Sequence, residues 1–146
     1  MIPVVTPSQM ADIDEQAVEP IEVLIKKAGQ AVAWRARKIL KGTYGKRVII
    51  IVGKGNNGAD GFVLGALLAD RGVRGIIHSP AVSLKKNSES EIASRLCFER
   101  RIKMTSIDEI LEKSELIVDA LLGTGLSREV GGRYLEVVRK INQSNK

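Results

Sequence analysis

Cysteine is nearly absent from this sequence: Cys97 is the only one in 146 residues. That excludes an internal disulfide and a multi-cysteine metal site, and it fits a reducing compartment such as the cytoplasm. Aromatic residues are scarce as well, at 3%, so few rings are available to stack on bases. No long apolar run exists. The longest unbroken aliphatic stretch is Val48 to Val52, far too short to cross a membrane. The opening Met1-Ile2-Pro3-Val4-Val5 lacks a basic region followed by an apolar core and does not read as a secretory signal. Long blocks of like charge are missing too. The 23 Lys+Arg against 17 Asp+Glu leave a net charge of +6, but the basic residues fall in short groups such as Lys26-Lys27, Lys46-Arg47 and Arg100-Arg101-Lys103. A positive surplus suits phosphate-bearing ligands. Scattered in this way, and without aromatics between them, these residues are better explained as solvated helix faces than as a nucleic-acid groove.

What remains is ordinary globular material, 44% hydrophobic and 27% charged, at a length that suits one domain with its own core. Thr6-Pro7-Ser8-Gln9 predicts a capped helix start. A longer helix is predicted to open at Pro20, with Ile21, Leu24, Ile25, Ala28, Val32, Ala36 and Ile39 at helical spacing and Gly42 as its stop. Val48–Val52, apolar at every position, predicts a central parallel strand covered on both faces. A helix from Phe62 to Ala69 follows, then a strand at Gly75–His78 and a polar loop from Leu84 to Ser90. A helix over Glu91–Arg101 and a brief strand near Lys103-Met104 come next. Ser106-Ile107-Asp108-Glu109 reads as a second capping box. Leu116–Ala120 predicts another buried strand, and Tyr134, Val137, Val138 and Ile141 mark a final helix. Strands alternating with helices imply an α/β fold, a doubly wound and mostly parallel sheet flanked by helices. Ligands in such sheets bind beyond the carboxyl ends of the strands, where strand order reverses. In the common winding order that point lies between Val48–Val52 and Leu116–Ala120.

Both of those strands are followed by polar, glycine-bearing turns. After the first, Gly53, Gly55 and Gly58 satisfy G-x-G-x-x-G between a strand and a helix, a pattern that lets backbone turn tightly and offers free amides to an anion. The acidic residue that holds ribose hydroxyls in an NAD-binding site of this kind is missing, since His78-Ser79-Pro80-Ala81 stands in its place, which disfavours a generic nicotinamide dehydrogenase. No Gly-Lys-Ser/Thr ends the turn, which excludes a nucleoside-triphosphate P-loop. After the later strand, Asp119 lies in an apolar run, where an unpaired carboxylate is costly. A cation, a basic side chain or backbone amides would compensate it. Asp119 and Asn57 could share a hard cation across adjacent strands, or Asp119 could simply cap the turn that follows. Gly123-Thr124-Gly125 offers amides and a hydroxyl suited to phosphate. Elsewhere, His78 and Lys54 read as surface or packing residues, Cys97 as a small apolar group in a helix, Trp34 as a cover for the core or a dimer contact, and Gly29 as a site of close helix packing.

The two stretches GKGNNGADGFVLGALLADRG and LIVDALLGTGLSREVGGRYLEVVRKIN, preceded by QMADIDEQAV and LIKKAG, resemble the NAD(P)H-hydrate epimerase family, the YjeF N-terminal domain, over essentially the whole chain. The resemblance implies a Rossmann-like fold, often dimeric, that interconverts the R and S epimers of hydrated NADH or NADPH before a partner dehydratase restores the cofactor. It places substrate contacts at Asn56, Asn57, Gly58, Ala59 and Asp60 and at Gly123, Thr124, Gly125, Leu126, Ser127, Arg128 and Glu129. It places a potassium ion on Asn57 and Asp119. Asp60 is the expected catalytic acid/base. Non-catalytic dimeric scaffolds of the same family are the alternative it implies. The family pattern carries a glycine where Ala59 stands, so a positive φ there would strain the loop by roughly 1 kcal/mol. The family also continues into a strand ending in an Asp-Ile-Pro-Ser-Gly type motif. The expectation is therefore a single domain over 1–146 that is incomplete at its C-terminus, with the later strands of the sheet lying outside it.

Overall fold

The computed structural model describes residues 4–146, so the Met1-Ile2-Pro3 part of the leader reading lies outside the described residues. Helix α1 (Pro7–Glu15) starts as the sequence predicts. The Thr6 hydroxyl accepts the Gln9 amide at 3.3 Å, and the Gln9 side chain accepts the Thr6 amide at 2.8 Å, a complete capping box. Helix α2 (Ile21–Leu40) follows Pro20. Its C-cap is Lys41, and Gly42, the expected stop, follows directly at φ 150°. Lys41 itself takes the left-handed conformation, φ 52°, and its amide bonds back to Lys38. The buried stripe of α2 is Ile25, Gly29, Ala33, Ala36 and Leu40. Ile21, Val32 and Ile39, expected in that stripe, are exposed.

The sheet has four parallel strands, β1 (Arg47–Val52), β2 (Arg74–His78), β3 (Lys103–Met104) and β4 (Leu116–Ala120), in the order β3-β2-β1-β4. Between them run α3 (Asn56–Ala69), α4 (Glu89–Glu99) and α5 (Ile107–Ile110), and α6 (Gly132–Gln143) follows β4. This is the expected Rossmann-like α/β winding, with order reversing between β1 and β4. Val48 through Val52 are fully buried, because each side of β1 meets a separate apolar layer. Val48, Ile50 and Val52 pack with α2, α3 and α4, while Ile49 and Ile51 pack with α5 and α6. Burying five such side chains contributes about 1.5–3 kcal/mol each, as an upper range against an exposed reference.

Three details differ from expectation. Helix α3 begins at Asn56, six residues before Phe62, so the polar Asn-Asn-Gly-Ala-Asp stretch forms its first turns and not a loop. The Ser106 box is incomplete. The Ser106 hydroxyl accepts from Asp108 N, and Glu109 instead accepts the Thr105 hydroxyl at 2.9 Å. Strand β4 is only half-buried, and Asp119 on it is exposed. Its exposure spares this carboxylate the desolvation that a buried position would impose. No helix among the described residues is long and apolar enough to cross a membrane.

Candidate functional site

The register across the sheet sets the geometry. Ile51 on β1 pairs with His78 on one side and with Asp119 on the other. The three side chains therefore share one face at the carboxyl end of the sheet, the face that α5 and α6 cover. Beyond this row the chain turns at Gly53. The Gly53 amide donates to Ala120 O at 3.0 Å, which extends the β1–β4 ladder by one residue. A side chain at Gly53 would overlap the Leu121 carbonyl oxygen, and one at Gly58 would overlap the carbonyl of Gly53 itself. Gly53 and Gly58 are thus required by backbone approach, whereas Gly55 has open space around it. Gly61, one turn further, has Ala120 Cβ 2.7 Å from where its own Cβ would stand, so α3 lies directly against the end of β4.

Gly55 is the N-cap of α3 and supplies no side-chain cap. The first-turn amides are left for an outside acceptor, as at helix ends that hold anions. The turn is held from beneath by Ser90 of α4. Its hydroxyl is 1% exposed and donates to Gly55 O at 2.6 Å. Sequence reasoning placed Ser90 in a loop and gave it no role; its position two residues after the capping Ser88 was the available signal.

Asn57 joins the two turns. Its Nδ2 donates to Leu122 O at 2.9 Å, and its Cβ is 3.3 Å from where a Gly123 Cβ would stand. On the other strand, Asp119 Oδ1 accepts the Leu121 amide at 2.9 Å, the turn-capping arrangement. Asn57 Oδ1 and Asp119 Oδ2 are left uncommitted on two segments bonded to one another. Such oxygen donors suit a hard cation. Two side-chain oxygens fill only part of its shell, which leaves the rest to carbonyls, water or substrate. Among the described residues no group of three or more His, Cys, Asp and Glu side chains gathers as a metal site.

Ala59 is fully buried within α3 and is not among the residues with positive φ. The expected strain is absent, because the residue is helical and alanine is the better helix former. Asp60 lies three residues beyond Asn57, on the same face of α3. Its carboxyl is raised from 3.8 to about 6, first by burial and then by the negative charge of Asp14 on α1. Asn56 is exposed at the mouth of the turn and Gly58 is buried beneath it.

The second turn is built differently. Gly123, Thr124, Gly125, Leu126, Ser127, Arg128 and Glu129 are all exposed, held by one internal backbone bond from Leu126 N to Gly123 O at 3.3 Å. Lys54 is exposed. His78 Nδ1 is 2.9 Å from Thr105 O, a packing contact. Trp34 is 56% exposed and does not cover the core; the Lys38 ammonium lies 3.8 Å from its ring centre. Cys97 is buried, donates to Phe62 O at 3.1 Å, and its thiol is pushed up to about 12 by burial, which makes it inert. A Cβ on Gly29 would stand 2.7 Å from Val63 Cγ1, so the α2–α3 contact does depend on glycine.

Residues 21–146 match the family described as YjeF-related protein N-terminus. The chain is 30% identical over 147 residues to a protein of Limosilactobacillus fermentum named NAD(P)H-hydrate epimerase, covering 97% of this chain and 69% of that one. It is 33% identical over 122 residues to the bifunctional NAD(P)H-hydrate repair enzyme Nnr of Coxiella burnetii, covering 83% of this chain and 25% of that one. The crystal structure of yeast ynu0 (YNL200c) superposes with a TM-score of 0.82 at 23% identity, over 96% of this chain and 65% of that one, which shows the shared fold. The chain thus spans about two-thirds of the length of the epimerase and of the yeast protein. With a family match over residues 21–146, the chain belongs to the family of YjeF-related protein N-termini.

Proposed function

We propose that this chain acts in nicotinamide nucleotide repair as an epimerase that interconverts the R and S forms of hydrated NADH and NADPH. The observation that carries the reading is the Asn57–Leu122 hydrogen bond, which joins the two turns at the point where strand order reverses. Membership of a family whose relatives are named NAD(P)H-hydrate epimerase supports it.

The hydrate carries a hydroxyl on the ring carbon beside nitrogen. To invert that centre, either the hydroxyl leaves as water and water returns to the other face, or the ring opens at the carbon–nitrogen bond and recloses. Both routes move a proton at the hydroxyl oxygen. Asp60, with its carboxyl near 6, holds or releases a proton readily at neutral pH and is the proposed acid/base. The free amides at Asn56, Asn57 and Gly58 suit the pyrophosphate. Gly123, Thr124, Gly125, Leu126, Ser127, Arg128 and Glu129 close over ribose and phosphate from the opposite side, with Ala59 packed beneath. Asn57 and Asp119 are the proposed potassium ligands; a bound ion would fix the two turns at their working separation.

The reading carries further proposals. The product passes to an NAD(P)H-hydrate dehydratase. The chain pairs as a homodimer, which the exposed Ile21, Val32, Trp34 and Ile39 on α2 favour. Its setting is the cytoplasm, in keeping with the single buried thiol. The test is stereochemical. The R hydrate is supplied with a dehydratase specific for the S form, and NADPH recovery is followed with and without potassium. Faster recovery on adding the chain, enhanced by potassium, is expected. No acceleration from folded protein would overturn the epimerase reading in favour of a non-catalytic scaffold.

A further inference from the structure

Among the described residues one side-chain polar atom is shut away from water with no partner, the hydroxyl of Tyr134. Tyr134 lies in the first turn of α6 and packs into the apolar layer between that helix and the sheet. A phenylalanine would fill this layer equally well. The hydroxyl adds only the cost of a polar group taken from water and left unbonded, and native proteins keep few such groups. Folding to this state gives no reason for it. A second state, in which the hydroxyl meets an acceptor, does.

The face below α6 has one acceptor to spare. Ile117 on β4 and Leu121 just after it line the layer. Asp119 stands midway between them and pairs with Ile51, so it shares their face. Its Oδ1 takes the Leu121 amide, and its Oδ2 makes no hydrogen bond among the described residues. His78, the other polar side chain in that row, is bound to Thr105 O. The groove over His78 is lined from α6 by Arg133, Glu136, Val137 and Lys140, and Tyr134 is turned away from it. The joint between α6 and the exposed Gly123–Glu129 turn is built to move. Gly131 and Gly132 have open space around them, and Gly132 sits at φ 55°. Val137 is the one buried residue of α6, so the helix is lightly held. A shift of the turn reaches Tyr134 only two residues past this joint.

We propose that Tyr134 is a positioning residue for Asp119. When ligand draws the Gly123–Glu129 turn inward, the start of α6 follows, and the Tyr134 hydroxyl, keeping its proton, donates to Asp119 Oδ2. This rests on the reading of the two turns as a site for hydrated nicotinamide nucleotides. A carboxylate offers about four lone-pair positions, so the oxygen that takes the hydroxyl can still face a cation. The bond fixes the carboxylate in the bound state alone, and the free state bears the cost of the unpaired hydroxyl.

The chain has two tyrosines, which makes the test direct. With both labelled with carbon-13 at Cζ, NMR reads one signal from Tyr134 and one from Tyr44, which is 94% exposed and serves as the control. Adding hydrated NADPH with potassium is expected to move the Tyr134 signal and leave that of Tyr44 in place. Tyr134→Phe keeps the packing, so it folds. Its Tm is expected to rise by about 2–4 °C. Its kcat is expected to fall about tenfold with KM nearly unchanged, as the loss of one hydrogen bond to a charged group gives. A merely structural tyrosine would leave kcat and the labelled signal untouched. A fall in Tm, an unchanged kcat, or a Tyr134 signal that ignores the hydrate would each overturn the inference. The native chain separates the two ideas. Movement of the Tyr134 signal without epimerisation sinks the epimerase reading alone, with the signal and the Tm left to carry the inference. Epimerisation with a still Tyr134 signal sinks the inference alone.

Discussion

The two turns at the head of the sheet carry similar sequences, each glycine-bearing and each following a parallel strand, yet they are built in opposite ways. The turn after β1 is locked. Gly53 and Gly58 each have a backbone carbonyl where a side chain would stand, Ala59 is fully buried, and Ser90 anchors Gly55 from the neighbouring helix. The turn after β4 is loose: seven consecutive residues from Gly123 to Glu129 are exposed, and Gly125 has open space where a side chain would go. One turn is tightly packed and the other is open to solvent. Substrate-binding surfaces commonly divide this way, with a rigid scaffold presenting a mobile segment.

That contrast can be broken most forcefully at Gly53. Gly53→Ala drives a Cβ into the Leu121 carbonyl and should cost about 3 kcal/mol, the upper end for overpacking, which lowers Tm by about 10 °C. A calorimetric scan checks it. Asn57→Ala removes the one side-chain hydrogen bond between the turns among the described residues. It should cost about 1–2 kcal/mol in urea denaturation and a far larger share of epimerisation. Ser90→Ala removes one of the two donors to Gly55 O, the Ala59 amide remaining, and should cost about 1 kcal/mol, with the loss seen in stability before activity.

Asp60 sharpens the comparison through pH. Its folded carboxyl lies near 6, above its ordinary 3.8, so the folded state holds the proton more tightly than the unfolded chain. The stability it contributes is present in full below about pH 4 and is lost as pH rises through 6. This is the opposite sign to a salt-bridged aspartate. Urea midpoints should therefore fall for the native sequence relative to Asp60→Asn across that window, and parallel curves would contradict the burial of Asp60. The smallest effect belongs to the loose turn. Gly125→Ala should leave stability within about 0.5 kcal/mol, and any change should appear in KM.

Much of this was legible in advance. The β-branched run at Val48–Val52 declares itself because a strand buried between two layers must be apolar throughout, and Leu116–Ala120 reads as a strand in the same way although β4 proves only half-buried. Their adjacency follows from the winding order. The start of α3 was hidden because Asn-Asn-Gly-Ala-Asp-Gly has poor helix propensity. Packing against α2, α4 and the end of β4 makes it helical, and that is tertiary information. The stripe on α2 was misplaced because the helix carries two apolar stripes, and spacing alone does not say which one faces the sheet. Asp119 reads as buried from its neighbours in sequence, whereas its exposure depends on β4 having a strand on one side only among the described residues. Ser90 was missed for a similar reason: its partner, Gly55, is 35 residues away.

The central claim is that a rigid turn and a loose turn work as one site through Asn57 and Asp119. A double-mutant cycle measures this directly, with Asn57→Ala, Asp119→Ala and the pair compared in the coupled epimerisation assay at saturating potassium. The account predicts strong non-additivity, with the double variant losing hardly more activity than the worse single one. Losses that simply multiply would show two independent residues and contradict it.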